Sequence, residues 1–243
     1  KMRNIFSATF HDASKNKGVM EPMLDDSLWP KEWKTTEYKV YDRFPQLDLP
    51  KPQNLDKTFS DCIRGRETAR HFSNKTLSLQ ELSDTLFHTV GITDSLFLGG
   101  GKRRAQPSGG GLFPIEIYPL VLHGTKKIPS GIYHYNVCGH RLEAFPWKQN
   151  DAERLSVFEW AGNASVAFFM TAVFHRSEVK YRARGYRYAL LEAGHIGQNF
   201  YLLAQALNLK CVALGGTNDE NVEKLLHIDG QAEALVYTIL IGK

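Results

Sequence analysis

Lys180 and Tyr181 stand side by side in the stretch VKYRARGYRY, with Arg182, Arg184 and Arg187 close behind. A lysine that is partly desolvated and crowded by cations loses its proton more readily than a free one and can then act as a base. A solvated basic turn would look the same at this level. Three further stretches carry chemistry-bearing residues. In RETAR, Arg66 and Arg70 flank Thr68, and two guanidinium forks with a hydroxyl suit the oxygens of a phosphate. The same arginines would also serve a helix C-terminus as a cationic cluster. In PSGGGLFP, Pro107 and Ser108 precede Gly109, Gly110 and Gly111, a run that leaves the backbone bare for close approach, or merely slack. In LEAGHIGQN, Glu192, His195 and Asn199 recur at i, i+3 and i+7, one face of a helix, either as site groups or as satisfied core polar groups.

Other chemistries are excluded by spacing. GGGKRR is not a phosphate-binding loop, because Arg103 occupies the Ser/Thr position and the upstream glycine is missing. GGGLFP precedes a strand-like run rather than a helix and lacks the third glycine of a dinucleotide fingerprint. The histidines show no metal spacing, so no metal is expected. Cys62, Cys138 and Cys211 form no CxxC pair; neither a disulfide framework nor structural zinc is suggested, and a reducing cytoplasm fits. The net charge of +4 comes from local clusters at 64–70, 102–104 and 176–187, which suit one anionic ligand better than a nucleic-acid track. No apolar run approaches the ~20 residues of a membrane span, and the N-terminus has no secretory h-region.

The elements that must position these residues can be read coarsely. Residues 1–55 form an arm interrupted by prolines, with one short strand candidate. The body, 56–243, opens with a helix capped by Asp56 and ended by Gly65. Ser78 and Glu81 have capping-box spacing and start a second helix with Leu79, Leu82 and Leu86 on one face, closed at Gly91. A Gly-rich basic loop spans 93–111. Strands are predicted at 115–122, 131–136, 164–174, 211–214 and 233–242. Helices are predicted from Asp151 to about Trp160, over 186–209 and over 219–226. The 186–209 helix is apolar nearly all round and so is expected to be buried on most sides, with Gly194 and Gly197 marking close packing, within the chain or across a subunit boundary. The class is α+β.

In this order, RETARHF, PSGGGLFPIEIY, SGIYHY, RGYRYALLEAGHIGQNFYLLAQAL, ALGGTND and EALVYTILIG, preceded by YDRFPQLDLPKP, resemble the flavin-dependent nitroreductase superfamily, and more closely its thiazoline/oxazoline dehydrogenase branch, the SagB/McbC-type oxidases. The resemblance implies a central mixed or antiparallel sheet flanked by helices, a long buried helix at a homodimer interface, and FMN bound there by both subunits. It implies that Arg66, Thr68 and Arg70 hold the phosphate and ribityl chain. Pro107, Ser108, Gly109 and Gly110 would come from the other subunit and face the flavin, Gln198 would lie near the site, and Gly215 and Gly216 would approach the isoalloxazine edge. Lys180 and Tyr181 match the Lys-Tyr pair to which azoline oxidation is ascribed. Glu67 and Thr68 depart from the usual residues, and the family's basic phosphate ligand beyond the last strand has no counterpart before Lys243. The implied activity is FMN-dependent oxidation of peptide thiazolines or oxazolines to azoles, with a precursor peptide as substrate and a cyclodehydratase as a further partner. An NAD(P)H-dependent nitro- or quinone reductase, or a flavin-binding scaffold subunit without activity of its own, would share the same motifs. Neither nucleic acid nor membrane is expected as a partner.

Overall fold

The run VAFFMTAV has no polar face because the fold covers both sides of it. In the computed structural model, which describes residues 5–15, 26–94, 102–148 and 158–243, this run is β7 (Val166–Val173). It lies between β4 (Ile115–Val121) and β9 (Glu233–Gly242), antiparallel to both. Alternate side chains of a strand point to opposite faces. Accordingly Phe168, Met170 and Ala172 enter one core and Ala167 and Phe169 the other.

The full sheet has seven strands in the order β1-β6-β5-β4-β7-β9-β8, every neighbouring pair antiparallel. Its remaining members are β1 (Gln46–Asp48), β5 (Gly131–Asn136), β6 (Arg141–Ala144) and β8 (Lys210–Ala213). A small second sheet pairs β2 (Ile92–Asp94) with β3 (Arg103–Arg104). One sheet face is covered by α3 (Leu79–Val90) and α5 (Ala183–Ala206), whose Leu82, Leu86, Ala193, Ile196 and Phe200 pack with Phe168 and Ile117. The other is covered by α6 (Asp219–Leu226), through Val222 and Leu226. The chain also has α1 (Ile5–Ala13), α2 (Phe59–Gly65) and α4 (His175–Tyr181). No helix among the described residues is long and apolar enough to cross a membrane.

Several expectations are met and several corrected. The Ser78/Glu81 capping box closes in both directions, and α6 and β9 have the expected bounds. The first body helix is capped by Thr58, not Asp56, because the Thr58 hydroxyl is the group that accepts from the Asp61 N–H. Residues 151–157 of the helix expected from Asp151 lie outside the described residues; the stretch Glu159–Asn163 is a short 3-10 turn. The long helix starts three residues earlier than expected and is not buried all round. Ala189, Ala193, Ile196 and Phe200 face the core, whereas Leu190 and Leu191 are 38 % and 55 % exposed on the single chain. Gly197 packs closely within the chain: a Cβ there would lie 2.6 Å from the Tyr237 ring on β9.

The sheet buries a charged network that sets the position of α4. Glu116 on β4 is bound by the Arg176 guanidinium of α4 at 2.6 Å and by His134 Nε2 of β5 at 3.1 Å. His134 Nδ1 lies 2.8 Å from Glu143 of β6, which also accepts from the Asn136 amide and the Tyr41 N–H. With a carboxylate on each ring nitrogen, both nitrogens must donate, so His134 is an imidazolium. Burial pulls its pKa down, but the two carboxylates outweigh burial and raise it. Burial alone would raise Glu116; His134 and Arg176 instead hold it at about 2, below an ordinary 4.5. The contribution of Glu116 to stability is therefore full above pH 4.5 and lost as pH falls through about 2. That of His134 is full below its ordinary 6.5 and lost as pH rises through its raised value. Glu116→Gln leaves the buried Arg176 without its carboxylate and His134 with Glu143 alone, and is expected to lower stability at pH 6 by about 3–5 kcal/mol in urea unfolding. A change below 1 kcal/mol would show that the network does not constrain the fold.

Candidate active site

The glycine run turns as the chain enters β4. Gly109–Gly111 form a short 3-10 turn in which Gly110 and Gly111 both take φ of +68°. The Ser108 hydroxyl accepts from the Phe113 N–H at 2.9 Å and closes the loop on itself. Phe113 carries a φ of +46°, strained for a phenylalanine. Its carbonyl accepts from Arg176 at 3.2 Å, so the charged network grips the loop as well as the helix.

That grip sets Lys180 and Tyr181 against the loop. They end α4, a helix, where the sequence left open a basic turn. A Cβ on Gly110 would lie 2.7 Å from the Tyr181 hydroxyl and 3.4 Å from Lys180 Nζ, and the φ of +68° itself favours glycine there. The Tyr181 ring meets Tyr188 of α5 edge-on, with centroids 4.9 Å apart. The pair and the glycine loop line a cavity of about 790 Å³, with Pro107, Ser108 and Gly110 on one wall and Lys180 and Tyr181 on another. Burial lowers the pKa of Lys180 from its ordinary value, in the direction a general base requires. Burial, with Tyr188 nearby, raises that of Tyr181.

A third wall comes from a part of the arm in which the sequence showed no functional signal. Trp29, Trp33 and Thr36 line the cavity. Trp33 Nε1 donates to the Val179 carbonyl at 3.2 Å, and the Thr36 hydroxyl donates to the Gly111 carbonyl at 2.9 Å. Two aromatic residues in a Pro-limited segment were the only available sign, and nothing local tied them to α4.

The remaining site residues collect elsewhere. Arg66 follows the end of α2, and its guanidinium lies 5.5 Å from the Tyr201 ring of α5. The Thr68 hydroxyl is 3.4 Å from the Tyr201 hydroxyl. The Ala69 N–H donates to the Cys211 carbonyl, which sets the segment beside β8, and Arg70 is exposed. The Ala213 N–H donates to the Tyr201 hydroxyl just before Gly215 and Gly216. Gln198 is exposed on α5. Tyr201 thus gathers Arg66, Thr68 and the end of β8, a role the sequence did not reveal. Tyr188 and Tyr201 are thirteen residues apart on α5, about 20 Å at ~1.5 Å per residue. Within one chain the arginine locus and the glycine loop are therefore well separated.

Glu192, His195 and Asn199 divide among three surroundings. Asn199 donates to the Thr89 carbonyl of α3, His195 is exposed, and Glu192 is buried below the glycine loop. Burial raises the Glu192 pKa from 4.5 to about 7; hydrogen bonds from Ser108 and Gln106 and the Arg104 charge oppose it. The associated stability is full below pH 4.5 and declines as pH rises through about 7. Glu192→Gln, neutral at every pH, should flatten the melting temperature between pH 5 and 8 relative to the parent. Identical slopes would locate the titration elsewhere.

The Nitroreductase family model matches residues 63–243. The microcin B17-processing protein McbC of Escherichia coli is 33 % identical over 179 residues, covering 68 % of this chain and 62 % of McbC, so the chain spans less than two thirds of that relative. Among solved structures, the E. coli microcin synthetase McbBCD complex with truncated pro-MccB17 aligns with a TM-score of 0.62 at 23 % identity, over 97 % of this chain and 86 % of that one. A structure from Exiguobacterium sibiricum in complex with FMN aligns with a TM-score of 0.54 at 12 % identity, over 78 % and 90 %. At those identities the likeness speaks to the fold. Sequence pattern and architecture agree over the whole body, and the chain belongs to the nitroreductase family.

Proposed function

We propose that this protein is an FMN-dependent azoline dehydrogenase that converts thiazolines or oxazolines of a precursor peptide into aromatic azoles. The observation that carries the reading is the Lys180–Tyr181 pair held against the bare backbone of Gly110 at the wall of a cavity, in a family member similar to McbC. The residues fit a flavin. Gly109–Gly111 offer side-chain-free backbone to a flat ring, and a Cβ on Gly111 would meet nothing within 4 Å. Arg66, Arg70 and the Thr68 hydroxyl offer an exposed seat for a phosphate, with Gly215 and Gly216 as close backbone and Gln198 as a further polar neighbour. When bound, FMN supplies the acceptor for the two electrons removed from the azoline ring.

Lys180 or Tyr181 takes the proton from the ring Cα, and the walls of the cavity exclude water and orient the ring. Pro107, Ser108, Gly109 and Gly110 serve one flavin while the arginine locus of the same chain serves another, so a homodimer completes each site. The separation of the two loci along α5 and the exposure of Leu190 and Leu191 support this arrangement. Residues 56–243 are the flavin-binding unit and 1–55 an arm. A cyclodehydratase that makes the azolines is the natural partner, in the cytoplasm. A second reading, a nitro- or quinone reductase fed by NAD(P)H, is favoured by Lys34, Lys102 and Arg103 at the cavity, which suit an anionic nucleotide.

Lys180→Ala should retain the flavin spectrum and lose azoline turnover by about 10²-fold or more. Undiminished turnover in this variant would defeat the role of Lys180. Rapid anaerobic bleaching of the wild-type flavin by NAD(P)H, without azoline oxidation, would favour the reductase.

A further inference from the structure

We propose that Trp29 is a positioning residue of this site: its indole face holds the Lys180 ammonium beside Gly110 and favours its charged form. The inference rests on the reading of Lys180 as the proton acceptor. Lys180 Nζ lies 3.7 Å from the Trp29 ring centroid, well inside the range of a cation–π contact. The faces of Trp33 and Tyr181 lie farther off, at 5.9 and 5.6 Å. Trp29 is held there by its own strap. Trp33 is bonded to the backbone of α4 one residue before Lys180, and Thr36 to the backbone one residue after Gly110. The strap therefore spans the two walls between which the lysine works.

The charged and titratable surroundings make the aromatic contact matter. Lys34 lies on the strap, and Lys102, Arg103 and Arg104 line the cavity from the segment at β3. Tyr181 sits beside Lys180 on α4, with Tyr188 of α5 behind it. No carboxylate lines the cavity among the described residues. Burial disfavours the positive charge on Lys180, whereas the negative π face of Trp29 favours it. Burial moves Lys180 toward releasing its proton nearer the working pH, while Trp29 holds the amine in place when charged and offsets part of that shift.

The test is competitive acetylation of the Lys180 amine across pH in the purified full chain, read by peptide mass spectrometry, alongside the pH profile of azoline turnover. Trp29→Leu keeps apolar bulk without a π face and should lower the Lys180 midpoint by about half a pH unit or more. The acid limb of kcat should move with it, while Trp29→Phe stays near wild type. Trp29 is half-buried and outside both core clusters; should the leucine variant fail to fold, Trp29→Met reads the same quantity. An unchanged midpoint in the leucine or methionine variant, or an equal fall in the phenylalanine variant, would overturn the proposal. A shifted midpoint with no azoline turnover in any form, wild type included, would support the Trp29–Lys180 contact and refute the dehydrogenase reading instead.

Discussion

Arg176 reaches from α4 into the sheet and binds Glu116 while its other contact holds the Phe113 carbonyl. This guanidinium ties α4, β4 and the end of the glycine loop to one another. Without it, α4 would be tied to the sheet mainly by apolar packing, and the helix end that carries Lys180 and Tyr181 could slide relative to the glycine loop. A bidentate-capable fork with fixed geometry specifies position where a hydrophobic contact only specifies proximity. The network closes electrically, with two carboxylates against Arg176 and the His134 imidazolium. That balance lets four charged groups stay in the interior, because each has a counter-charge and hydrogen-bond partners.

The same interior contains a carboxyl treated in the opposite way. Glu116 is held ionised by adjacent cations, whereas Glu192 is pushed toward its neutral form by burial. Glu116 grips the exit of the glycine loop through Arg176, and Glu192 meets its entry through Ser108 and Gln106. The loop is thus fixed at both ends by polar groups, while its middle has no side chains. Rigid ends and a bare middle are what a loop needs if a flat ring is to lie against its backbone without first ordering it.

The arm contributes more than its composition suggests. Residues 46–48 extend the sheet as its edge strand, and residues 29–36 wall the cavity. Arg187 and Arg184, which the sequence grouped with the basic cluster around Lys180, turn away and bind the backbone around Ser14. The cations that line the cavity beside Lys180 are instead Lys34, Lys102, Arg103 and Arg104, from other elements.

What the sequence determined by itself were the features with local causes. The Ser78/Glu81 capping box, the apolar run of β7 and the caps of α6 act over a few residues, so their elements are legible in order and bounds. The family pattern, and with it the α+β fold, was legible for the same reason: it is carried by short motifs in sequence order. The short strands β1, at the sheet edge, and β6, its inner neighbour, were not, because three or four residues carry too little periodicity. Nor was α4, since HRSEVKY has no apolar stripe and its N-cap residue Phe174 makes no side-chain cap bond. Tertiary structure alone decided which motifs meet. Trp33 and Val179 are 146 positions apart, Thr36 and Gly111 75, and Arg176 and Glu116 60. No spacing rule reaches that far; such contacts follow from strand order and from the burial of charges that only the folded sheet can pair. The glycines were visible as a bare strip in the sequence, but the reason for their bareness, a lysine, a tyrosine and a tryptophan converging on one backbone turn, exists only in three dimensions.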